Sequence, residues 1–181
     1  MTQTKQKPIY DKSLYAWAAV RLAIGFTFLW AFFDKLLGLG FSTCRDASTN
    51  VVNVMCEQSW YQGGSPTAGF LKFATKGPLA DFYQGLAGNT FVDMLFMAGL
   101  LLIGVALVAG IGMRLATISG VLLMIMMWSS MLLPENNPII DEHIIYSIIL
   151  LGLLVSNKQQ VWGLRNWWIK QPLVKRLTIL E

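Results

Sequence analysis

Three long apolar stretches limit what this chain can fold into more than any other feature. Leu14–Phe33 runs for 20 positions with one charge, Arg21, while Met94–Ile111 and Leu115–Leu133 run for 18 and 19 positions without a charge. About 20 apolar residues cross the hydrocarbon core of a bilayer as a helix. The whole chain is 13% charged, whereas soluble domains carry about 25% charged residues. These patterns predict an all-α integral membrane protein.

A fourth apolar stretch, Ile144–Val155, has 12 residues and is too short to cross by itself. It spans the membrane if its helix starts near Pro138, because proline suits the first turn of a helix. We therefore predict a four-transmembrane-helix bundle in which residues 1–181 form a single membrane domain. The predicted helices cover about 14–37, 90–111, 114–133 and 139–156.

Basic residues outside the spans predict the orientation of the chain. Nine of the 14 Lys and Arg residues fall in the N-terminus, in the second link and in the tail 158–181, namely Lys5, Lys7, Lys12, Arg114, Lys158, Arg165, Lys170, Lys175 and Arg176. The third link, around Asn136 and Asn137, contains Glu135 and no basic residue. The positive-inside rule then predicts that both termini face the cytoplasm. Topology and anionic lipid account for the net charge of +4, so no nucleic acid partner is predicted.

The tail mixes tryptophans with basic residues from Val161 to Lys170. Such a mixture favours the interface between membrane and water. We interpret the tail as an anchor on the inner membrane surface, and a helix that docks a partner is the alternative.

Residues 40–89 form the long connection, and the predicted orientation makes them an extracytoplasmic insertion between helices one and two. An amphipathic pattern broken at Gly77-Pro78 predicts two short helices across the outer mouth of the bundle. Cys44 and Cys56 lie twelve positions apart on this side. A structural disulfide is the first interpretation. A redox-active pair and two free thiols stay open, although the Cys-x-x-Cys spacing of thioredoxin-type enzymes is absent.

Two charges in the first helix are candidate functional residues. Arg21 lies about 10 Å along the helix, where a charge is costly and usually faces the bundle interior or a cavity. It could bind an anion or a carbonyl oxygen, pair with an acid, or extend to the inner headgroups. Lys35 lies on nearly the same face, 14 residues further on. Lys35 and its neighbour Asp34 could also simply be interfacial.

The densest polar cluster runs from Asn136 to Tyr146 and contains the single histidine of the chain, His143. Glu142 and Tyr146 share a helix face, as do His143 and Tyr146. Together with Asp141, these groups could exchange protons with a bound molecule. The alternative is a helix N-terminus whose acids complement the dipole. No metal site is predicted, because acids and histidine at successive positions should not all point at one ion.

Four segments of the chain carry a family resemblance. They are Arg21-Leu22-x-x-Gly25-x-x-Phe28 with Lys35-Leu36, Ala74-Thr75-Lys76-Gly77-Pro78-Leu79-Ala80 with Leu86-Ala87-Gly88-Asn89, Gly99–Leu107 through Arg114, and Asn137-Pro138-x-x-Asp141-Glu142-His143-Ile144-Ile145-Tyr146. With these segments the chain resembles the DoxX/DoxD family of membrane proteins, and within it the DoxD membrane subunits of thiosulfate:quinone oxidoreductases. The match covers most of residues 14–155.

The resemblance implies a protein of a prokaryotic cytoplasmic membrane that oxidises thiosulfate to tetrathionate and reduces quinone. Because thiosulfate is a dianion, its expected ligands are the outer cations Lys35, Arg45, Lys72 and Lys76. Quinone would enter between the helices. The expected catalytic residues are Asp141, Glu142, His143, Tyr146 and Arg21, and the expected quinone-binding residues are Arg21 and Trp128, with methionines of helix three beside Trp128.

Quinone is the expected electron acceptor, and no metal or haem is predicted. The resemblance also implies a small extracytoplasmic partner subunit, and a homo-oligomer stays open. The alternative function is a non-catalytic membrane subunit that anchors or assembles a redox partner. A disulfide-exchange enzyme is a third possibility, disfavoured by the missing Cys-x-x-Cys.

Overall fold

The computed structural model describes residues 12–134, 137–156 and 160–180, and within them it contains helices and turns but no β-strand. The predicted positions of Lys5, Lys7, Glu135, Asn136 and Lys158 fall outside these ranges. The helices are α1 (Lys12–Leu37), α2 (Ala68–Phe73), α3 (Ala80–Gln84), α4 (Thr90–Ala109), α5 (Met113–Ser130), α6 (Glu142–Ser156), α7 (Arg165–Trp168) and α8 (Pro172–Arg176). The all-helical class is confirmed.

Three of the helices, α1, α4 and α5, are long and apolar enough to cross a membrane by length and composition. The fourth, α6, has 15 residues, which corresponds to about 22 Å against a hydrocarbon core of about 30 Å. It is apolar and packs mainly against α5 and also against α1. The structure thus supports a multi-pass helical membrane protein with three evident spans.

Polar caps place the start of α6 three residues later than the predicted position 139. Asn137 Oδ1 accepts hydrogen bonds from the backbone N–H groups of Ile139 and Ile140. Asp141 Oδ1 then accepts from the N–H groups of His143 and Ile144. The Asn137 side chain therefore caps an irregular segment before the helix, and the Asp141 side chain caps α6 itself.

Small residues let the long helices approach each other closely. A Cβ added at Gly104 on α4 would lie 2.7 Å from Leu29 on α1, and one added at Gly120 on α5 would lie 2.9 Å from Leu150 on α6. The core between the helices includes fully buried Met97, Leu107 and Leu150. Large apolar side chains also point outward, as expected for faces in contact with lipid, including Phe26, Leu102, Leu122 and Val155.

The ends of the bundle differ in their covering. At one end, called here the insertion end, residues 38–89 contain α2, α3 and a 3₁₀ turn at Trp60–Gln62, so the two short helices are confirmed. At the other, called the tail end, Leu164 N–H donates to Ala109 O at 2.8 Å. Val174 is buried there, and the Arg114 guanidinium donates to Thr178 O at 2.9 Å. The tail therefore folds against the α4–α5 turn.

Candidate functional site

Arg21 lies at the tail end, where its side chain is buried with 1% exposure. Its guanidinium donates to the carbonyls of Leu107 and Val108 at the end of α4, and of Val161 and Trp162 in the tail. The positive charge meets the negative end of the α4 dipole. Arg21 thus links α1 to the end of α4 and to the tail. It lines a small pocket with Leu153 of α6, which lies ten residues, or about 15 Å, along the helix from His143.

Asp34 at the end of α1 is buried with 1% exposure and holds the start of the insertion. Its carboxylate accepts from the N–H groups of Phe41 and Ser42, both at 2.9 Å, and from the Ser42 hydroxyl at 2.7 Å. Ser42 Oγ in turn accepts from Lys35 Nζ at 3.0 Å. Lys35 is therefore joined to Asp34 through a serine.

Asp93 in the first turn of α4 holds the end of the loop that precedes α2. It is buried with 6% exposure, and its Oδ1 accepts from the hydroxyls of Ser65 at 2.9 Å and Thr67 at 2.6 Å. The N–H of Thr67 donates to the same oxygen at 3.2 Å. Two buried carboxylates, Asp34 and Asp93, thus fix the insertion to the bundle at two points.

An apolar cavity of about 120 Å³ lies between the insertion and helices α4 and α5. Its wall comprises Lys35, Pro66, Thr67, Phe70, Leu71, Tyr83, Leu86, Val92, Phe96, Leu123, Met126, Met127 and Ser130. Met126 is exposed on the surface of the bundle, so the cavity has an outward-facing side. The structure thus places Lys35 against apolar side chains. Met126 and Met127, two of the helix-three methionines considered for quinone binding, lie in the same wall.

A polar cleft of about 240 Å³ lies on the other side of the α5 C-terminus. It is lined by Lys76, Met131, Pro134, Asn137, Ile140, Asp141 and Glu142. The backbone N–H of Lys76 donates to Ser130 O at 3.0 Å, which fixes the insertion beside the start of α6. The structure therefore brings together a predicted anion-binding residue, Lys76, and two predicted proton-transfer residues, Asp141 and Glu142.

Asp141, which lines this cleft, forms a hydrogen-bonded pair with His143. His143 is buried with 8% exposure, and its Nδ1 lies 2.8 Å from Asp141 Oδ2. Partial burial raises the pKa of Asp141, but hydrogen bonds from the His143 ring and from the N–H of Ile144 lower it more, so the pKa lies below its usual value. Asp141 thus favours its charged form next to the imidazole.

The donor atoms of Asp141, Glu142 and His143 lie within 4.8 Å of one another. The sequence argument that successive positions direct these groups apart is therefore wrong in its geometry. It assumed that all three lie on a helix, whereas Asp141 precedes α6 and its side chain folds back over the first turn. The contact that the structure shows within this group is between His143 Nδ1 and Asp141 Oδ2, with the Glu142 carboxylate nearby.

The remaining predicted residues are distributed around the insertion end. Trp128 Nε1 donates to Ile139 O at 2.8 Å and so holds the segment before α6 against α5. Tyr146 packs against the core. Arg45 Nε donates to Gly40 O at 2.5 Å, and Lys72 is exposed on α2. Neither Arg45 nor Lys72 lines the cavity or the cleft.

The predicted disulfide between Cys44 and Cys56 is confirmed, with Cα atoms 5.7 Å apart. Cys44 Sγ lies so close to Gly38 that an added Cβ there would be 2.2 Å from the sulfur. Gly38 has a φ of +66°, which suits glycine at the end of a helix. The bridge therefore packs directly onto the C-terminus of α1.

Sequence reasoning missed the two carboxylates that fix the insertion, together with Ser42 and Thr67. It considered Asp34 as an interfacial charge and assigned no binding or catalytic role to Asp93. The available signal was their position within or beside apolar helices, where an ionisable group usually has a buried partner.

Comparison with family models, with curated proteins and with solved structures found no match to this chain.

Proposed function

We propose that this protein is an integral-membrane oxidoreductase that oxidises thiosulfate to tetrathionate and reduces a membrane quinone, as its resemblance to the DoxX/DoxD family implies. In this proposal α6 provides a fourth crossing. The insertion faces the extracytoplasmic side of a prokaryotic cytoplasmic membrane, and both termini face the cytoplasm. The observation that carries the proposal is the apolar cavity beside Lys35.

The cavity has the chemistry expected of a quinone headgroup site. An apolar cavity of about 150 Å³ can hold benzene. This cavity is smaller, at about 120 Å³, so a quinone ring would fill it and extend through its outward-facing side, where the isoprenoid tail would lie between helices. Pockets for such ligands combine apolar walls with few polar groups that fix orientation. We assign the ammonium of Lys35 to a quinone carbonyl instead of to thiosulfate.

The polar cleft supports a separate site for the dianion and for protons. Lys76 at its edge can attract thiosulfate. Two thiosulfates lose one electron each and join through a new S–S bond, while the quinone takes up both electrons and two protons. The Asp141–His143 pair and Glu142 can deliver these protons from water, because imidazole and carboxylate groups exchange protons readily.

A cavity-filling substitution tests the quinone site. Leu123 lines the cavity, whereas its neighbour Leu122 is exposed on the outer face of the same helix. We expect Leu123→Trp to raise the KM for a short-chain quinone by about tenfold or more, equivalent to about 1.4 kcal/mol of binding, because the indole would occupy the space that the quinone ring needs. Leu122→Trp should leave it unchanged. Thiosulfate-dependent quinone reduction by the purified protein is the measurement, and an unchanged KM in Leu123→Trp would contradict the assignment.

The alternative function is a membrane subunit that anchors or assembles a redox partner. The specific observation in its favour is the apolar surface of the insertion, where Phe41, Tyr61, Phe73 and Phe82 are exposed. Large exposed apolar patches often mark protein interaction sites. If the purified chain reduces quinone only after a soluble partner is added, this alternative is favoured over the self-contained enzyme.

A further inference from the structure

Among the described residues, acidic side chains are confined to one half of the bundle, whereas basic side chains occur at both ends. In the part of the chain that the structure describes, all acidic residues lie in the insertion half, namely Asp34, Asp46, Glu57, Asp81, Asp93, Asp141 and Glu142. Within the same ranges, every charged side chain at the tail end is basic. Apart from buried Arg21, these are Lys12, Arg114, Arg165, Lys170, Lys175 and Arg176, which we name the basic end surface.

Tertiary contacts gather this surface from distant parts of the chain. The Tyr15 ring lies 5.4 Å from the Trp162 ring, which brings the start of α1 to the tail. The bond from Arg114 to Thr178 O joins the α4–α5 turn to the C-terminal segment. The basic residues therefore form one end of the bundle instead of three separate sequence clusters.

Exposed apolar side chains alternate with these charges. Trp162, Leu164, Trp167, Leu173 and Leu177 are all exposed, whereas Val174 is buried and fixes the C-terminal turn. Lys170, Lys175 and Arg176 are exposed beside them. A surface that presents tryptophan and leucine next to ammonium and guanidinium groups matches the level of the headgroups.

Arg165 adds a specific feature at the centre of this surface. It is half-buried, and its Nε is buried without a hydrogen-bond partner among the described residues. Guanidinium groups bind phosphate oxygens with several donors at once. A phosphodiester oxygen would be bound through the terminal N–H groups of this guanidinium, because the buried Nε is out of reach of a lipid.

We propose that the basic end surface selectively binds anionic phospholipids through their headgroups, with Arg165, Lys170, Lys175 and Arg176 as the recognising residues. Charge complementarity at one end, together with the interleaved apolar side chains, identifies a lipid as the occupant. This binding is independent of the redox reaction. Each Lys or Arg near an anionic surface favours an anionic lipid by about fivefold.

Spin-labelled lipids test this proposal on the full chain reconstituted in phosphatidylcholine bilayers. The relative association constants of phosphatidylglycerol and phosphatidylcholine are measured by electron spin resonance. We expect a preference for phosphatidylglycerol that decreases with added salt. The combined variant Lys170→Gln, Lys175→Gln and Arg176→Gln should lower this preference by at least about twofold. Each lost charge removes a factor of about five for lipids at the tail end. Lipids at the insertion end are unaffected, so the average over both ends falls by less.

The matched control removes three charges from the insertion end with Arg45→Gln, Lys72→Gln and Lys76→Gln. It should retain the preference. Three outcomes would overturn the proposal: no lipid preference in the unmodified protein, an unchanged preference in the tail variant, or an equal loss in the control. The first of these would indicate that the surface serves a protein partner instead.

Discussion

Arg21 illustrates how a charge inside a membrane helix can be bound by backbone carbonyls instead of an acid, although its Nε is buried without a partner among the described residues. Its donors meet backbone carbonyls at the negative end of α4 and in the tail. The α4 carbonyls have no intrahelical partner, because the last turn of a helix leaves its C=O groups free. The arginine therefore gives bonds to acceptors that would otherwise be unsatisfied in an apolar environment.

Replacing Arg21 should destabilise the protein more than replacing another tail-end arginine. We expect Arg21→Met to lower the free energy of unfolding by about 2–3 kcal/mol, because buried acceptors lose a charged donor. Arg114, which is only partly buried and donates to Thr178 O, is the control, and Arg114→Met should cost less than about 1 kcal/mol. Thermal unfolding in detergent, followed by circular dichroism, measures both. Equal effects would contradict a special role for Arg21.

Asp141 combines two functions in one carboxylate, because Oδ1 caps α6 while Oδ2 contacts the His143 ring. Its pKa is lowered in the folded state. The stabilisation is therefore present above the ordinary pKa of aspartate, about 3.9, and is lost as the pH falls through the lower folded value.

Asn at position 141 should separate these two functions, since asparagine caps helices as well as aspartate does. We expect Asp141→Asn to unfold at a midpoint that depends less on pH below about 4 than in the unmodified protein. The measurement is a series of thermal unfolding curves at decreasing pH. Identical pH dependence in both proteins would show that the Asp141–His143 pair contributes nothing to stability.

At the scale of elements, close helix approach depends on which glycine faces a neighbour. Gly104 and Gly99 both lie on α4, but only an added Cβ at Gly104 would meet α1, at 2.7 Å from Leu29, whereas Gly99 has nothing within 4 Å. Gly104→Val should destabilise by about 1–3 kcal/mol through overpacking. Gly99→Val should be close to neutral. Comparable losses of thermal stability in both variants would contradict the observed packing of α1 on α4.

The insertion depends on buried carboxylates in the long helices more than on its own short helices. Asp93→Ala removes the acceptor of three hydrogen bonds from Ser65 and Thr67. Loss of a buried acceptor leaves donors unsatisfied at about 1–3 kcal/mol, so we expect faster amide exchange and proteolysis around residues 65–67. Asp81→Ala on exposed α3 is the control. Equal protection in the two variants would show that Asp93 does not hold the insertion.

At the scale of the whole molecule, the two ends of the bundle should lie on opposite sides of the membrane. The native cysteines are bonded to each other, so single introduced thiols report topology. Ser48→Cys in the insertion and Lys175→Cys in the tail are both at exposed positions. With four crossings, a membrane-impermeant maleimide should label Ser48→Cys in intact cells and Lys175→Cys only after lysis. Labelling of both in intact cells would contradict the proposed fourth crossing, and labelling of Lys175→Cys alone would contradict the proposed orientation.

Prediction from sequence succeeded where the information is local. Apolar stretches of membrane-spanning length predicted α1, α4 and α5 to within a few residues. The pairing of the two cysteines and the two short helices of the insertion followed from spacing and amphipathic pattern. The predicted start of the last helix was wrong by three residues, because the caps formed by Asn137 and Asp141 compete with proline for the helix boundary.

The sequence by itself predicted the helical membrane class and favoured a disulfide between Cys44 and Cys56, because these depend on composition and on which side of the membrane two cysteines lie. Only the structure showed that the donor atoms of Asp141, Glu142 and His143 lie close together. Only the tertiary structure decided that Arg21 bonds carbonyls 86 and 141 positions away. It also decided that Lys35 lines an apolar cavity and that Lys76 joins the Asp141 cleft. The physical reason is that burial and partners of a polar side chain depend on how helices pack across space, which the local periodicity of a sequence does not specify.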